Sequence, residues 1–423
     1  MKRLPILLMT VLLVAILAGQ ALAQDKVVTV ALRSLPETDY IIEHLQEFTE
    51  ATGIHVNIVT YPEEQLRQKT IMDLTTGAGA YDVIAVDSVF IPELAMGGYI
   101  LPLDKYIDPA YDLEDIMESV RGLLSYEGQL YAAPIYQETT ILMYRKDLFE
   151  QEGIAVPDTL DEFYAVAEHF TRPPSIWGVA MRGLRGNGMN IYTWAQWLHS
   201  YGGAFFDENM NPLFDSAESI LATEKYASML QKWGPPGSSS YSWDDVQTAF
   251  VSGRAAMIID ATNFYNRIED PERSAIAGKI GYAVVPAGPS GRFPGNYAMG
   301  FAISAVAARS EEQRENAAKF VQWATSREME LGKALEADIV SITRTSVFES
   351  NEFRNKINPQ WLEAAVKSLE ITDPNYRPLI PEWREVGNLL GIAVESVISG
   401  QQSAPAALAE AQKGAEEVMA RTR

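Results

Sequence analysis

No cysteine occurs among the 423 residues. That excludes disulfides, a thiol nucleophile, thiolate metal sites and a lipid anchor on an N-terminal cysteine. Histidine is nearly as scarce: His44, His55, His169 and His199 are scattered along the chain, and a lone histidine is more often a solvated or satisfied residue than a ligand. The Gly-x-Ser-x-Gly, His-Glu-x-x-His and Gly-x-x-x-x-Gly-Lys patterns are absent, so the common hydrolase, metalloprotease and nucleotide-binding templates have no support. Basic residues are also short, 34 Lys and Arg against 56 Asp and Glu, for a net charge of −22. A field of that sign repels phosphate backbones and anionic lipid, which makes nucleic acid a poor partner.

Long apolar runs are missing too, apart from Leu4–Ala18. It follows a basic start at Lys2 and Arg3 and precedes "ALA" at Ala21 to Ala23, the pattern of a cleavable export signal over residues 1–23. A retained membrane anchor is the competing reading, but a span needs about 20 apolar residues. Cleavage removes Lys2 and Arg3, leaving 32 basic residues against 56 acidic ones and a net charge of −24. We expect a periplasmic protein with no lipid anchor and no stable membrane insertion, a monomer with no cofactor or metal.

What remains is an α/β pattern. "VVTVAL" (Val27–Leu32), "IHVNIV" (Ile54–Val59) and "DVIAV" (Asp82–Val86) read as strands separated by helical periodicities that end at Gly53 and Gly77. This βαβαβ order predicts a right-handed parallel sheet, with ligands beyond the strand ends at Arg33–Pro36, Tyr61–Glu64 and Asp87–Phe90. Further helices are expected over "LDEFYAVAEHF", "NIYTWAQWLHSYG", from Trp243 to Val251, over "EEQRENAAKFVQWAT" and across Pro381–Met419, broken near "SGQQSAPAAL", with strands ending at Asp260, over Ile280–Pro286 and over Gly300–Val306. In "LYAAPIYQETTILMYRKDLF", the polar insert Gln137–Thr140 interrupts an otherwise apolar strand. That is an odd sequence for a strand buried in a single sheet.

Glu63, Asp87, Glu138 and Asp260 fall near strand ends, where carboxylates serve either a glycosidase pair about 5 to 10 Å apart or the binding of sugar hydroxyls. "DENMNPLFDSAE" places Asp207, Asn209, Asn211, Leu213, Asp215 and Glu218 at calcium-loop spacing, but Pro212 stands where that loop needs glycine. A hairpin turn is the better reading. Of the aromatics, Tyr61, Phe90, Tyr136, Phe264 and Tyr297 sit at strand ends or in Gly/Pro-rich loops, the positions for a ligand platform. Trp194, Trp197 and Trp323 sit in helical patterns, and Trp177, Trp243 and Trp383 stay open between core and platform.

The stretches "LYAAPIYQETTILMYRKDLFEQEGIAVPDTLDEF", "WDDVQTAFVSGRAAMIID", "GFAISAVAARSEEQRENAAKFVQWATS" and the tail from "RPLIPEW" onward cover nearly the whole mature chain. Together they resemble the extracellular solute-binding proteins of ABC transporters, family 1, the sugar-binding group. "YDVIAVDSVFIPEL", "AMRGLRGNG", "GGAFFDENMNPLFDS", "WGPPGSSS" and "MIIDATNF" look most like its polyol-binding branch for mannitol, sorbitol and related alditols. The resemblance implies a two-lobed periplasmic-binding-protein fold of type II, each lobe a mainly parallel sheet flanked by helices, with the ligand in the interlobe cleft. One lobe would comprise residues 24–137 and 297–327, the other 138–296 and 328–423, with crossings at "IYQETT" and "GNYAM". It further implies hydroxyl-binding roles for Glu138, Arg182 and Asp260, with Tyr61, Glu64, Asp87, Tyr136, Gln137, Asn187, Tyr297 and Met299 around them. The implied partners are a polyol or small saccharide and the transmembrane permease of an importer. A secreted glycoside hydrolase and a binder of polyamines or other solutes are the alternatives.

Overall fold

The computed structural model describes residues 26–186 and 188–422; the expected export signal lies outside them. The three leading strands are β1 (Lys26–Leu32), β2 (Ile54–Thr60) and β3 (Val83–Asp87). β1 lies between the other two and pairs with both in parallel. All five residues of β3 are buried, as are Val28, Val30, Ala31 and Leu32 of β1, while Gly53 and Gly77, at φ 69° and 72°, close the intervening helices in the left-handed conformation that glycine adopts without strain.

After a short hairpin, β4 (Ser125–Tyr126) and β5 (Gln129–Leu130), the chain enters β6 (Ala133–Arg145), a strand of 13 residues. Its first half pairs antiparallel with β10 (Asn296–Ile303), which also pairs antiparallel with β3. Its second half, from Thr140 onward, pairs with β8 (Ala255–Ala261) and β9 (Ile280–Ala283), and β8 lies parallel to β7 (Trp177–Val179). One strand therefore belongs to two sheets. The connections that wind each sheet outward are parallel, and the two strands that link the sheets, β6 and β10, run against their neighbours because the chain crosses and then returns. β10 starts four residues earlier than its apolar run predicts: Asn296 and Tyr297 extend it across the junction.

Helix Glu311–Ala324 packs on β1 and β10, and helices Leu160–Phe170, Trp243–Val251 and Pro359–Glu370 pack on the second sheet. Thr159 caps the first of these last three, its hydroxyl accepting from the Glu162 amide at 3.2 Å. A further layer of helices, Asn190–Ser200, Ala217–Trp233, Trp383–Ile398 and Ala404–Thr422, encloses Trp194, Trp197 and Trp383, all fully buried. Trp194 and Trp197 each donate their indole N–H inside that core, to Thr223 Oγ1 at 3.1 Å and the Tyr164 hydroxyl at 2.8 Å. Among the described residues no helix is long and apolar enough to cross a membrane.

Candidate functional site

Side chains alternate across a strand, so Tyr136 and Glu138 share one face of β6 while Gln137 and Thr139 share the other. Tyr297 on β10 stands opposite Glu138, its ring 5.6 Å from that of Tyr136. These three form part of the floor of a cleft with a cavity volume of about 420 Å³. The remaining polar residues of the insert hold the crossing together. Gln137 Nε2 donates to the Ile342 carbonyl at 3.2 Å, Thr139 Oγ1 donates to the Gly295 carbonyl at 2.8 Å, and Thr140 Oγ1 accepts from the Gly295 amide at 2.7 Å. The polar insert thus serves both the cleft and the backbone at the point where the strand changes sheets.

One wall rises from the carboxyl ends of β1 and β3, where parallel α/β sheets place their ligands. Glu63 bridges two guanidinium groups, with Oε2 2.6 Å from Arg33 Nη1 and Oε1 2.6 Å from Arg67 Nη2. Arg67 also grips Asp87 Oδ2 through Nε at 2.9 Å and Nη2 at 2.6 Å, and Asp87 Oδ1 accepts from the Tyr297 hydroxyl. Arg33 donates to the Tyr136 hydroxyl at 2.7 Å, tying this wall to the floor. Burial alone would raise the Asp87 pKa, but Arg67 and Arg33 outweigh it and hold the group at about 2.

The opposite wall centres on Arg182, which is buried on the loop after β7. Its Nε donates to Asp260 Oδ2 at 3.0 Å, its Nη2 donates to Asp260 Oδ1, and its Nη1 donates to the Gly188 carbonyl at 2.7 Å. The Tyr192 ring lies between Arg182 and Arg377, whose guanidinium carbons are 4.7 and 4.9 Å from its centroid. Three buried atoms on the lining residues, Arg33 Nε, the Tyr192 hydroxyl and Asn263 Oδ1, have no protein partner among the described residues. Desolvation pushes Glu138 up to about 7, against the pull of Arg182, while Asp260 adds to the rise. Four guanidinium groups, of Arg33, Arg67, Arg182 and Arg377, meet five acidic side chains, of Glu37, Glu63, Asp87, Glu138 and Asp260, and the raised pKa of Glu138 offsets part of the fifth negative charge. The inner cleft is nearly charge-balanced within a strongly acidic chain.

The residues expected at the site divide by position. Glu138, Arg182, Tyr136 and Tyr297 line the cleft. Asp260 and Asp87 stand directly behind it, as the carboxylates that fix Arg182 and Arg67. Gln137 and Met299 are buried, Glu64 is exposed and accepts from Gln68, and the Tyr61 hydroxyl meets that of Tyr81 at 2.7 Å. Asn187 lies outside the described residues. Arg67, Tyr192 and Arg377 also line the cleft though no local sequence pattern marks them, and they are joined there by Trp243 and by Arg33 from the strand-end loop after β1. Asp207 accepts from the Asn209 and Asn211 amides at 2.9 and 2.8 Å, and Phe206 bridges antiparallel to Pro212, a turn held by its own backbone. Among the described residues no cluster of three or more His, Asp or Glu side chains is placed to hold a metal.

A polar, charge-balanced cleft between two α/β lobes, floored by the strands that connect them, defines a two-lobed solute-binding protein. The chain belongs to the bacterial extracellular solute-binding proteins, whose family model matches residues 34–330. A mannitol-binding protein of Pseudomonas aeruginosa is 30% identical over 384 residues, covering 86% of each chain. An erythritol/L-threitol-binding protein of Mycolicibacterium smegmatis is also 30% identical, over 72% of this chain and 68% of its own length. Among solved structures, an ABC transporter solute-binding protein of Agrobacterium radiobacter K84 in complex with ribitol superposes with a TM-score of 0.85 at 29% identity, covering 93% of this chain and 98% of that one. One from Agrobacterium vitis S4 with bound D-mannitol gives 0.84 at 31% identity, over 94% and 99%.

Proposed function

We propose that this chain captures an open-chain polyol in its interlobe cleft, closes over it, and presents it to the permease of an ABC importer after export to the periplasm. The observation that carries the reading is the charge balance of the inner cleft, combined with buried donors and acceptors that have no protein partner. A neutral ligand rich in hydroxyls, each both donor and acceptor, matches that surface, and relatives with bound ribitol and D-mannitol share the architecture. The lobes divide near Gln137/Glu138 on the outward crossing and near Asn296/Tyr297 on the return, giving 24–137 with 297–327 and 138–296 with 328–423. Glu138 and Arg182 contact the ligand in this reading, while Asp260 and Asp87 act through the arginines that they hold.

The rival classes fit less well. Glu63, Asp87 and Asp260 are each tied to a guanidinium group, which makes them poor choices for the second carboxylate that a glycosidase would pair with Glu138. A polyamine would have to displace arginines from the same carboxylates. Isothermal calorimetry against erythritol, ribitol, mannitol, sorbitol, maltose and spermidine tests the reading, with product analysis after incubation with oligosaccharides. Binding of at least one alditol without hydrolysis is expected. Binding of spermidine alone, or release of sugar, would overturn it.

A further inference from the structure

The cleft is not uniform along its depth. Its volume, about 420 Å³, lies in the range of about 300 to 1,000 Å³ that drug-sized ligands occupy. Its lining falls into two zones. The inner zone, the floor at Glu138 with the adjoining wall of Arg182, Tyr192 and Arg377, is buried, whereas the mouth is half-exposed or exposed, with Ser34 and Asp39 on one side and Trp243 and Arg267 on the other.

Trp243 is the first residue of helix Trp243–Val251, whose N-terminus is fixed by a capping box between Ser242 and Asp245. Trp243 is half-buried and packs partly against the second hydrophobic cluster, and among the described residues its indole ring, like that of Trp177, meets no other aromatic ring, whereas Trp194, Trp197, Trp323, Trp361 and Trp383 each do. Arg267 is held to the same helix through Asp244 at 2.9 Å, Gln247 at 3.1 Å and Thr248 at 3.0 Å. This wall is therefore built before any ligand arrives. An aromatic face beside a carboxylate and a guanidinium group matches a pyranose, which offers a flat C–H face for stacking and ring hydroxyls for the polar groups. An acyclic chain lacks that face.

We propose that the mouth of the cleft is a second subsite, in which Trp243 stacks on a sugar ring carried by a polyol bound at the floor, so that the ligand class extends to glycosyl-alditols. The inference rests on the polyol reading of the floor. Calorimetry with sorbitol and its glucosyl and galactosyl derivatives, maltitol and lactitol, on the wild type, Trp243→Ala and Trp243→Phe tests it. At least one derivative is expected to bind on the order of tenfold tighter than sorbitol, the gain that one well-stacked ring supplies. Trp243→Ala should abolish that ratio and Trp243→Phe should restore most of it; because the readout is a ratio, a general loss of folded protein cannot imitate it. If free alditols bind but neither derivative binds tighter, or if the ratio survives in Trp243→Ala, the subsite is refuted while the polyol reading stands. If maltitol, lactitol and every free alditol fail to bind, both fall.

Discussion

Arg182 and Asp260 illustrate how far a residue's role depends on its partner. Three of the five N–H groups of Arg182 are taken by Asp260 and Gly188, so its guanidinium group is aimed before a ligand enters. Asp260 is fully buried, and removing its charge leaves an arginine uncompensated in low dielectric. Asp260→Asn is therefore expected to lower unfolding stability by about 3 to 5 kcal/mol, measured by urea denaturation, and to weaken alditol binding. Unchanged stability would show that the pair contributes nothing. Glu138 gives a prediction in pH. Its ordinary value is 4.5 and its folded value about 7, so the folded state holds a proton that the unfolded state releases earlier. The stability contributed by protonated Glu138 is complete below about pH 4.5 and lost as pH rises through 7. Relative to the wild type, Glu138→Gln should gain stability across that window, levelling off by pH 8 to 8.5 at no more than about 3 kcal/mol. A pH-independent difference in melting would contradict it. The sequence made Glu138 and Asp260 visible as carboxylates near strand ends. It could not show that Arg377 shares Tyr192 with Arg182, because that contact joins positions 185 apart in the chain, and no local pattern records it.

At the scale of elements, periodicity and caps carried most of the reading. The βαβαβ start and the hairpin turn at Asp207 both depend on neighbours within a few residues, and both are found. Where the reading fell short, tertiary packing decided the outcome. Polar Asn296 and Tyr297 look like loop, yet they form the first rungs of β10 because β6 supplies the partner. The helix expected to run to Gly53 is instead two, Pro36–Glu43 and Leu45–Thr52, broken at His44. Gly295 is the close point of the crossing: a Cβ there would sit 3.1 Å from Thr140 Cγ2 and 3.2 Å from the Tyr192 ring. Thr140→Val keeps the shape of residue 140 but removes the acceptor of the Gly295 amide. A loss of about 1 to 3 kcal/mol is expected for the buried donor left unpaired. Equal urea midpoints for variant and wild type would show that the bond contributes nothing.

For the molecule as a whole, the two-lobed architecture makes ligand binding a change in shape as well as an occupancy. A saturating alditol is expected to reduce the radius of gyration in solution scattering, and ligand at about a hundredfold excess over its Kd should add about 2.7 kcal/mol to the unfolding free energy. An alditol that binds in calorimetry but leaves the scattering profile unaltered would mean that the lobes are already closed without it. The acidic exterior and the charge-balanced cleft divide the work of electrostatics. Net charge −22 opposes non-specific association between copies of the chain, while the arginines gathered inside are, under the proposed function, the groups that orient ligand hydroxyls.

β6 passes through both sheets without a break, and its neighbours are bonded to it on either side of Thr139 and Thr140. Along this strand, a rotation of one half of the protein against the other would therefore be spread as a slight twist over several peptide units. The axle stays stiff while it turns, so deuterium should enter the backbone amides of Thr139 and Thr140 slowly, with or without solute.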